Sequence, residues 1–171
     1  MNDLAQLHGK VIEWAKARNL IEGSTVEKQF LKLMEESGEI ARAVAKQNMA
    51  LFKDSIGDCA VVAIIMMRQL GSETNVFDLL HFLPFDKTKG DMKKTTMLNL
   101  AEELGMLAYN INRPSSRTRA RTKSALLEYL DALFSVAYAF DVTVEECLAL
   151  AYDEIKDRKG KMVDGVFVKE E

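Results

Sequence analysis

An all-α helical bundle, built from two pseudo-repeated halves and ending in a short β-hairpin or extended arm, is the fold class this sequence predicts. Three observations carry it. Apolar residues recur every three to four positions along six segments, no long period-two pattern appears, and residues 32–44 resemble residues 99–111. Two prolines in 171 residues leave the helical segments uninterrupted, and 48% hydrophobic content is enough for one compact core.

The elements follow from periodicity and end signals. Leu4, Leu7, Val11, Ile12 and Trp14 mark a first helix to about Arg18, broken by Asn19 to Gly23. Ser24 and Glu27 have the spacing of a capping box and open a second helix that runs to about Gln47. Its core stripe is Val26, Phe30, Leu33, Ile40 and Val44. A third helix covers Leu51 to Leu70 and stops at Gly71, a residue suited to the left-handed conformation of a helix end. Ser72 to Lys94, with Pro84 and Gly90, reads as a connector holding one short helix at Val76 to Phe82. Helices at Thr95 to Asn112 and Thr122 to Phe140 follow, then one opened by the capping-box pair Thr143 and Glu146 and running to Arg158. In the tail, Asp164-Gly165 between valines is a two-residue hairpin signal.

The repeat pairs Leu33 with Leu100, Glu35 and Glu36 with Glu102 and Glu103, Gly38 with Gly105, and Ala41 with Ala108. Glu39 pairs with Met106. A single domain is expected, with a first half at 1–71, a connector at 72–94, a second half at 95–158 and an arm at 159–171. Each amphipathic helix pair leaves an apolar stripe to cover, so the halves are expected to pack on each other and any uncovered remainder to drive homodimerisation.

Composition excludes several functions. A net charge of −3 and a pI near 5.6 argue against nucleic acid bound through a basic footprint. Cys59 and Cys147 lie inside apolar helical patterns without metal-ligand spacing and read as small core residues. His8 and His81 have no partner spacing. No apolar run reaches the ~20 residues of a membrane span, so a cytoplasmic protein is expected.

One stretch demands a chemical explanation. In "KLMEESGEIARA" the carboxylates of Glu35, Glu36 and Glu39 crowd neighbouring positions of one helix, where like charges repel. In the next helix Asp54 and Asp58 continue the apolar stripe of Val61, Val62 and Ile65. Carboxylates facing a core are costly unless paired or metal-bound. A short link near Asn48 makes the two helices antiparallel, so the five acids can converge on one or two hard cations. Oxygen-only ligation suits Mg²⁺ or Mn²⁺. The competing explanation is a solvated acidic face plus acids that favour a helix N-terminus.

"EESGE", then "KDSIGDCAVV", and the closing "AYDEIKDRKGKMVDGVFV" together resemble the MazG-like nucleotide pyrophosphohydrolases, particularly the short phage-type members of this all-α superfamily. The resemblance covers residues 14–70 and 143–169. It implies a MazG-like bundle and a hydrolase that uses Mg²⁺ to split a nucleoside triphosphate into monophosphate and pyrophosphate, in nucleotide-pool control. Its EExxE motif falls on Glu35, Glu36 and Glu39, and its ExxD motif ends on Asp58. Ser55 stands where that motif has Glu, which leaves Asp54 as the candidate to supply the missing ligand. The family's Asn-x-x-Lys-x-Arg reads Asp153, Lys156, Arg158, implying phosphate contacts from Lys156 and Arg158. The duplication is similar to the dimeric all-α dUTPases, in which one half keeps the metal site. Glu36 and Glu39 are the candidate proton acceptors for an attacking water, since Glu35 lies nearly opposite the apolar stripe.

Trp14 is a candidate for base stacking or a core anchor. Gln29 and Lys32, a turn or two before Glu36, are candidates for base or phosphate contact or plain surface positions. The basic stretch Arg113 to Ser124 is a candidate to close over a triphosphate or bind RNA or, lacking interleaved aromatics, a solvated linker. Two other functional classes stay open: a non-catalytic helical adaptor or dimerisation module, and a nucleotide-binding sensor.

Overall fold

The computed structural model describes residues 3–80, 92–113 and 118–169. Six α-helices, α1 (Leu4–Ala17), α2 (Val26–Lys46), α3 (Met49–Gln69), α4 (Met92–Ile111), α5 (Thr118–Ala139) and α6 (Val144–Ile155), precede strands β1 (Gly160–Val163) and β2 (Val166–Lys169). The protein is therefore mostly helical with a small two-stranded antiparallel sheet at its C-terminal end.

Local chemistry sets the ends. The Asp3 carboxylate accepts from the Ala5 amide at α1, and Asn48 accepts from Leu51 at α3. Helix α2 is capped by Thr25, whose hydroxyl accepts from the Lys28 amide. The expected Ser24–Glu27 box is thus displaced by one residue. Ser24 is buried and its hydroxyl is engaged by Gln29 instead. Thr143 caps α6 as its spacing predicts, but α6 ends at Ile155, so Arg158 lies in the link to β1. Its carbonyl there accepts from Arg18 at 2.5 Å. Residues 76–79 form a 3₁₀ turn rather than an α-helix, and Phe82, His81, Pro84 and Gly90 lie outside the described residues. Thr118–Ser124 of the expected linker is already helix α5.

Helix α3 is the centre. From Ser55 to Met67 nearly every residue is buried, because α1, α2, α5 and α6 all pack on it. Leu33 and Ile40 of α2 are fully buried, while Val26, Phe30 and Val44 pack at the edge of the core. Ser37 ties α2 to α5 through a 2.8 Å hydrogen bond with the fully buried Tyr129 hydroxyl. Cys59 and Cys147 are free thiols in the core. Burial pushes both thiols up to about 12.

Asp164 and Gly165 both have positive φ, 49° and 76°, the geometry that turns a two-residue hairpin without splaying its strands. Phe167 pairs with Met162 and both point inward, while Val163, Val166 and Val168 are exposed.

At Gly57 the α3 backbone lies directly against α6. A Cβ there would run into the Cys147 carbonyl and the Ala151 side chain. Gly57→Ala is expected to cost about 1–3 kcal/mol through overpacking. Gly38→Ala, at an exposed helical position with open space around it, is expected to gain about 0.5–1 kcal/mol. Thermal unfolding followed by circular dichroism checks both signs.

Candidate functional site

Buried apolar spacing on α2 and α3 orients the acids. Leu33 and Ile40 fix the rotation of α2, which drives Glu36 inward until it is only 4% exposed. Glu39, one turn on, is half-exposed and lies 3.9 Å from Arg42. Glu35 points outward, is 63% exposed and pairs with Lys32 at 3.0 Å. On α3, Ser55 is fully buried and its hydroxyl bonds back to the Leu51 carbonyl at 2.8 Å. Asp54 and Asp58 are half-buried on the side facing Glu36, Glu39 and α6.

These carboxylates sense one another. Burial, then the charges of Glu36 and Asp54, push Asp58 up to about 7, against an opposing pull from Arg158. Asp54 is raised by burial and by Glu154, through charge and a shared hydrogen bond, with Glu39 adding to it. Glu36 is raised by burial, opposed by the Lys32 ammonium at 2.5 Å. For Lys32 burial works downward, yet its hydrogen bonds to Glu36 and Glu35 outweigh it and the net shift is upward. Acids of α2 and α3 thus share one partly desolvated patch, partly neutralised by Lys32 and by Arg158, which pairs with the exposed Glu154 beside it.

Glu154 escaped the sequence reading. Its side chain is not on the buried stripe of α6, and only the approach of α6 to α3 brings it beside Asp54. Among the described residues, no three carboxylates, histidines or cysteines already stand as a cation cage. Lys32 holds Glu36, and Arg158 holds Glu154.

A cavity of about 210 Å³ opens beside the acids, lined by Gln29, Lys32, Glu36, Asp58 and Arg158. Val61, Val62, Ile65, Trp14 and Phe167 line it as well. Four of the five expected substrate contacts therefore meet here: Trp14, Gln29, Lys32 and Arg158. Lys156 does not. It caps α6, pairs with Asp153 at 2.9 Å, and lines a separate open groove with Tyr152 and Lys10. Trp14 is anchored through its indole N–H, which donates to the Ile155 carbonyl at 2.8 Å, and Arg18 lies 4.9 Å over its ring. No described helix is long and apolar enough to cross a membrane.

Because the folded-state value of Asp58 lies above the ordinary 3.8, the native state keeps a proton that the unfolded chain has already released. Stability therefore falls as pH rises from about 4 to 7, and the loss persists above that window. In chelator, Asp58→Asn is expected to unfold at a higher temperature than the parent at pH 8, with the difference shrinking towards pH 5. Scanning calorimetry across that range measures it, and a difference independent of pH would contradict the shift.

A 69-residue stretch is 54% identical to a protein of Haemophilus phage HP1 (strain HP1c1) described as "Uncharacterized 18.2 kDa protein in rep-hol intergenic region". The match covers 40% of this chain and 42% of that protein's length. No family model matches the chain, and no solved structure matches it.

Proposed function

We propose that the chain is a MazG-like, Mg²⁺-dependent nucleotide pyrophosphohydrolase that cleaves a nucleoside triphosphate to the monophosphate and pyrophosphate. One observation carries this reading: Glu36 of α2 and Asp58 of α3 are desolvated together at a cavity that Trp14, Val61, Val62, Ile65 and Phe167 also line. Acids that raise one another's proton affinity, with only oxygen donors among them, suit a hard divalent cation. Glu36, Glu39, Asp54 and Asp58 are the residues to hold Mg²⁺ or Mn²⁺, and Glu154 joins them. Glu35, turned outward, is the weakest of the expected ligands.

Bound there, the cation supplies charge neutralisation for the phosphates and a more acidic water. The protein's own groups do the rest. Arg158 and Lys32 counter the phosphate charge once released from Glu154 and Glu36. Glu39, half-exposed and 3.9 Å from Arg42, is the candidate to take a proton from the attacking water.

The pseudo-repeat is supported by burial: Leu33 and Leu100, and Ile40 and Leu107, are buried at matching positions. Met106, opposite Glu39 in the repeat, is 49% exposed, so the second half lacks a carboxylate there. Glu103 is raised by burial and by Glu128 and Glu102, a milder echo of the first half. These differences support a working site in the first half.

A rival reading has its own support. Lys32 and Arg158 already partner Glu36 and Glu154, as a non-catalytic helical module or a nucleotide sensor would allow. A screen of nucleoside triphosphates with Mg²⁺, scoring pyrophosphate against orthophosphate, separates them. Pyrophosphate with monophosphate is expected. Glu36→Gln or Asp58→Asn is expected to lower turnover by two or more orders of magnitude and Glu103→Gln by at most a few-fold. Orthophosphate release rejects the cleavage position, and neither turnover nor Mg²⁺-dependent nucleotide binding leaves the module.

Exposed Leu31, Met34, Leu98, Met106 and Tyr109 on α2 and α4, two helices in contact, support a homodimer. Light scattering at micromolar concentration is expected to give twice the 19.2 kDa chain mass, and Leu31→Glu with Leu98→Glu is expected to halve it.

A further inference from the structure

The C-terminal hairpin supplies Gly165, Val166 and Phe167 to the wall of the cavity that Val61, Val62 and Ile65 of α3 also line. It is fastened at two places. Lys28 donates to the Asp164 carbonyl at the turn, and Arg18 donates to the Lys156 and Arg158 carbonyls at the base. Phe167 is aimed by its own ribbon: its ring lies over Gly160, where any Cβ would strike it. Trp14 then meets the ring edge-on, with centroids 6.3 Å apart.

Among the polar residues that line the cavity, Gln29 is the fixed, uncharged one. Gln29 is 8% exposed, and its amide N–H donates to Ser24 at 3.1 Å. That bond orients the amide while leaving its carbonyl oxygen as an acceptor and its second N–H as a donor. Aromatic and branched apolar side chains beside an oriented amide suit a planar heteroaromatic ring carrying a hydrogen-bonding edge.

Size decides how much of a ligand enters. Pockets that enclose a whole drug-sized ligand run to about 300–1,000 Å³, whereas this one is about 210 Å³. It holds a base, and leaves a phosphate chain at the acidic rim by Glu36, Asp58 and Arg158.

We propose that the hairpin completes a nucleobase slot, in which Phe167 stacks on the base against the Val61, Val62 and Ile65 floor and Gln29 reads its edge. The ligand class, a nucleotide, rests on the proposed function above, but the slot is tested without catalysis. Trp14 is the sole tryptophan, lines the slot, and reports occupancy by its fluorescence.

Titration with the four common nucleosides and their monophosphates, in chelator, is the first arm. Saturable quenching that ranks the bases is expected. Phe167→Ala is expected to weaken the best ligand tenfold or more, Phe167→Leu less, and Gln29→Ala to flatten the ranking. Val168→Ala, on the outward face of the same hairpin, is expected to change nothing. Helical circular dichroism confirms that each variant is folded. The second arm measures KM for nucleoside triphosphates with Mg²⁺ in the same variants. Base-ranked quenching lost in Phe167→Ala supports the slot even where no triphosphate is hydrolysed, an outcome that overturns only the catalytic reading. Triphosphate hydrolysis with KM and base ranking untouched by Phe167→Ala and Gln29→Ala overturns the slot and leaves catalysis standing. Absence of quenching together with absence of hydrolysis overturns both.

Discussion

Everything at the acidic rim depends on how closely α6 approaches α3. Glycine at 57 lets the Cys147 carbonyl rest almost on the α3 backbone, and that contact fixes where the end of α6 emerges. Asp54 and Asp58 flank Gly57 within one helical turn, so the residue that admits α6 also sets the two acids against Glu154 and Arg158. A helix pair held farther apart would let water between the carboxylates and screen them. Close packing and perturbed acidity are, in this protein, one fact.

The molecule tolerates an arrangement that opposes its own stability. Glu36 and Asp58 are desolvated like charges, and Lys32 and Arg158 compensate them from neighbouring positions. A purely structural core would place apolar side chains there, as it does one turn farther along α3 at Val61, Val62 and Ile65. Groups with perturbed proton affinity in a cleft are where function is most often found. Here the perturbation changes abruptly to an ordinary apolar core within a single turn.

Much of this was legible in the residues. Helical period placed α1, α2, α3 and α6 within a few positions, and Asp164-Gly165 announced the hairpin, because these signals are local. The inward turn of Glu36 and the outward turn of Glu35 were legible too, since Leu33 and Ile40 fix the phase of α2. What escaped depends on tertiary approach. Ser24 looked like a cap until Gln29 took its hydroxyl, and Thr25 capped instead. Glu154 lies off its helix's apolar stripe and becomes interesting only beside Asp54. Lys156 and Arg158 are two residues apart, yet α6 ends between Ile155 and Arg158, and the change of backbone course sends them to different grooves.

The indole of Trp14 donates to the carbonyl of Ile155, 141 positions away along the chain, and Arg18 reaches the carbonyl of Arg158 across a separation of 140. The helical hairpin α2–α3 is local and can close early, whereas the rim and its cavity wait for contacts of very high sequence separation, whose loop-closure entropy is met late. A chain with its helices in place and its C-terminal ribbon undocked would keep the bundle and lose the enclosed pocket. The acids would then be more open to water, so docking of the ribbon and of the end of α6 is the step that completes their removal from solvent.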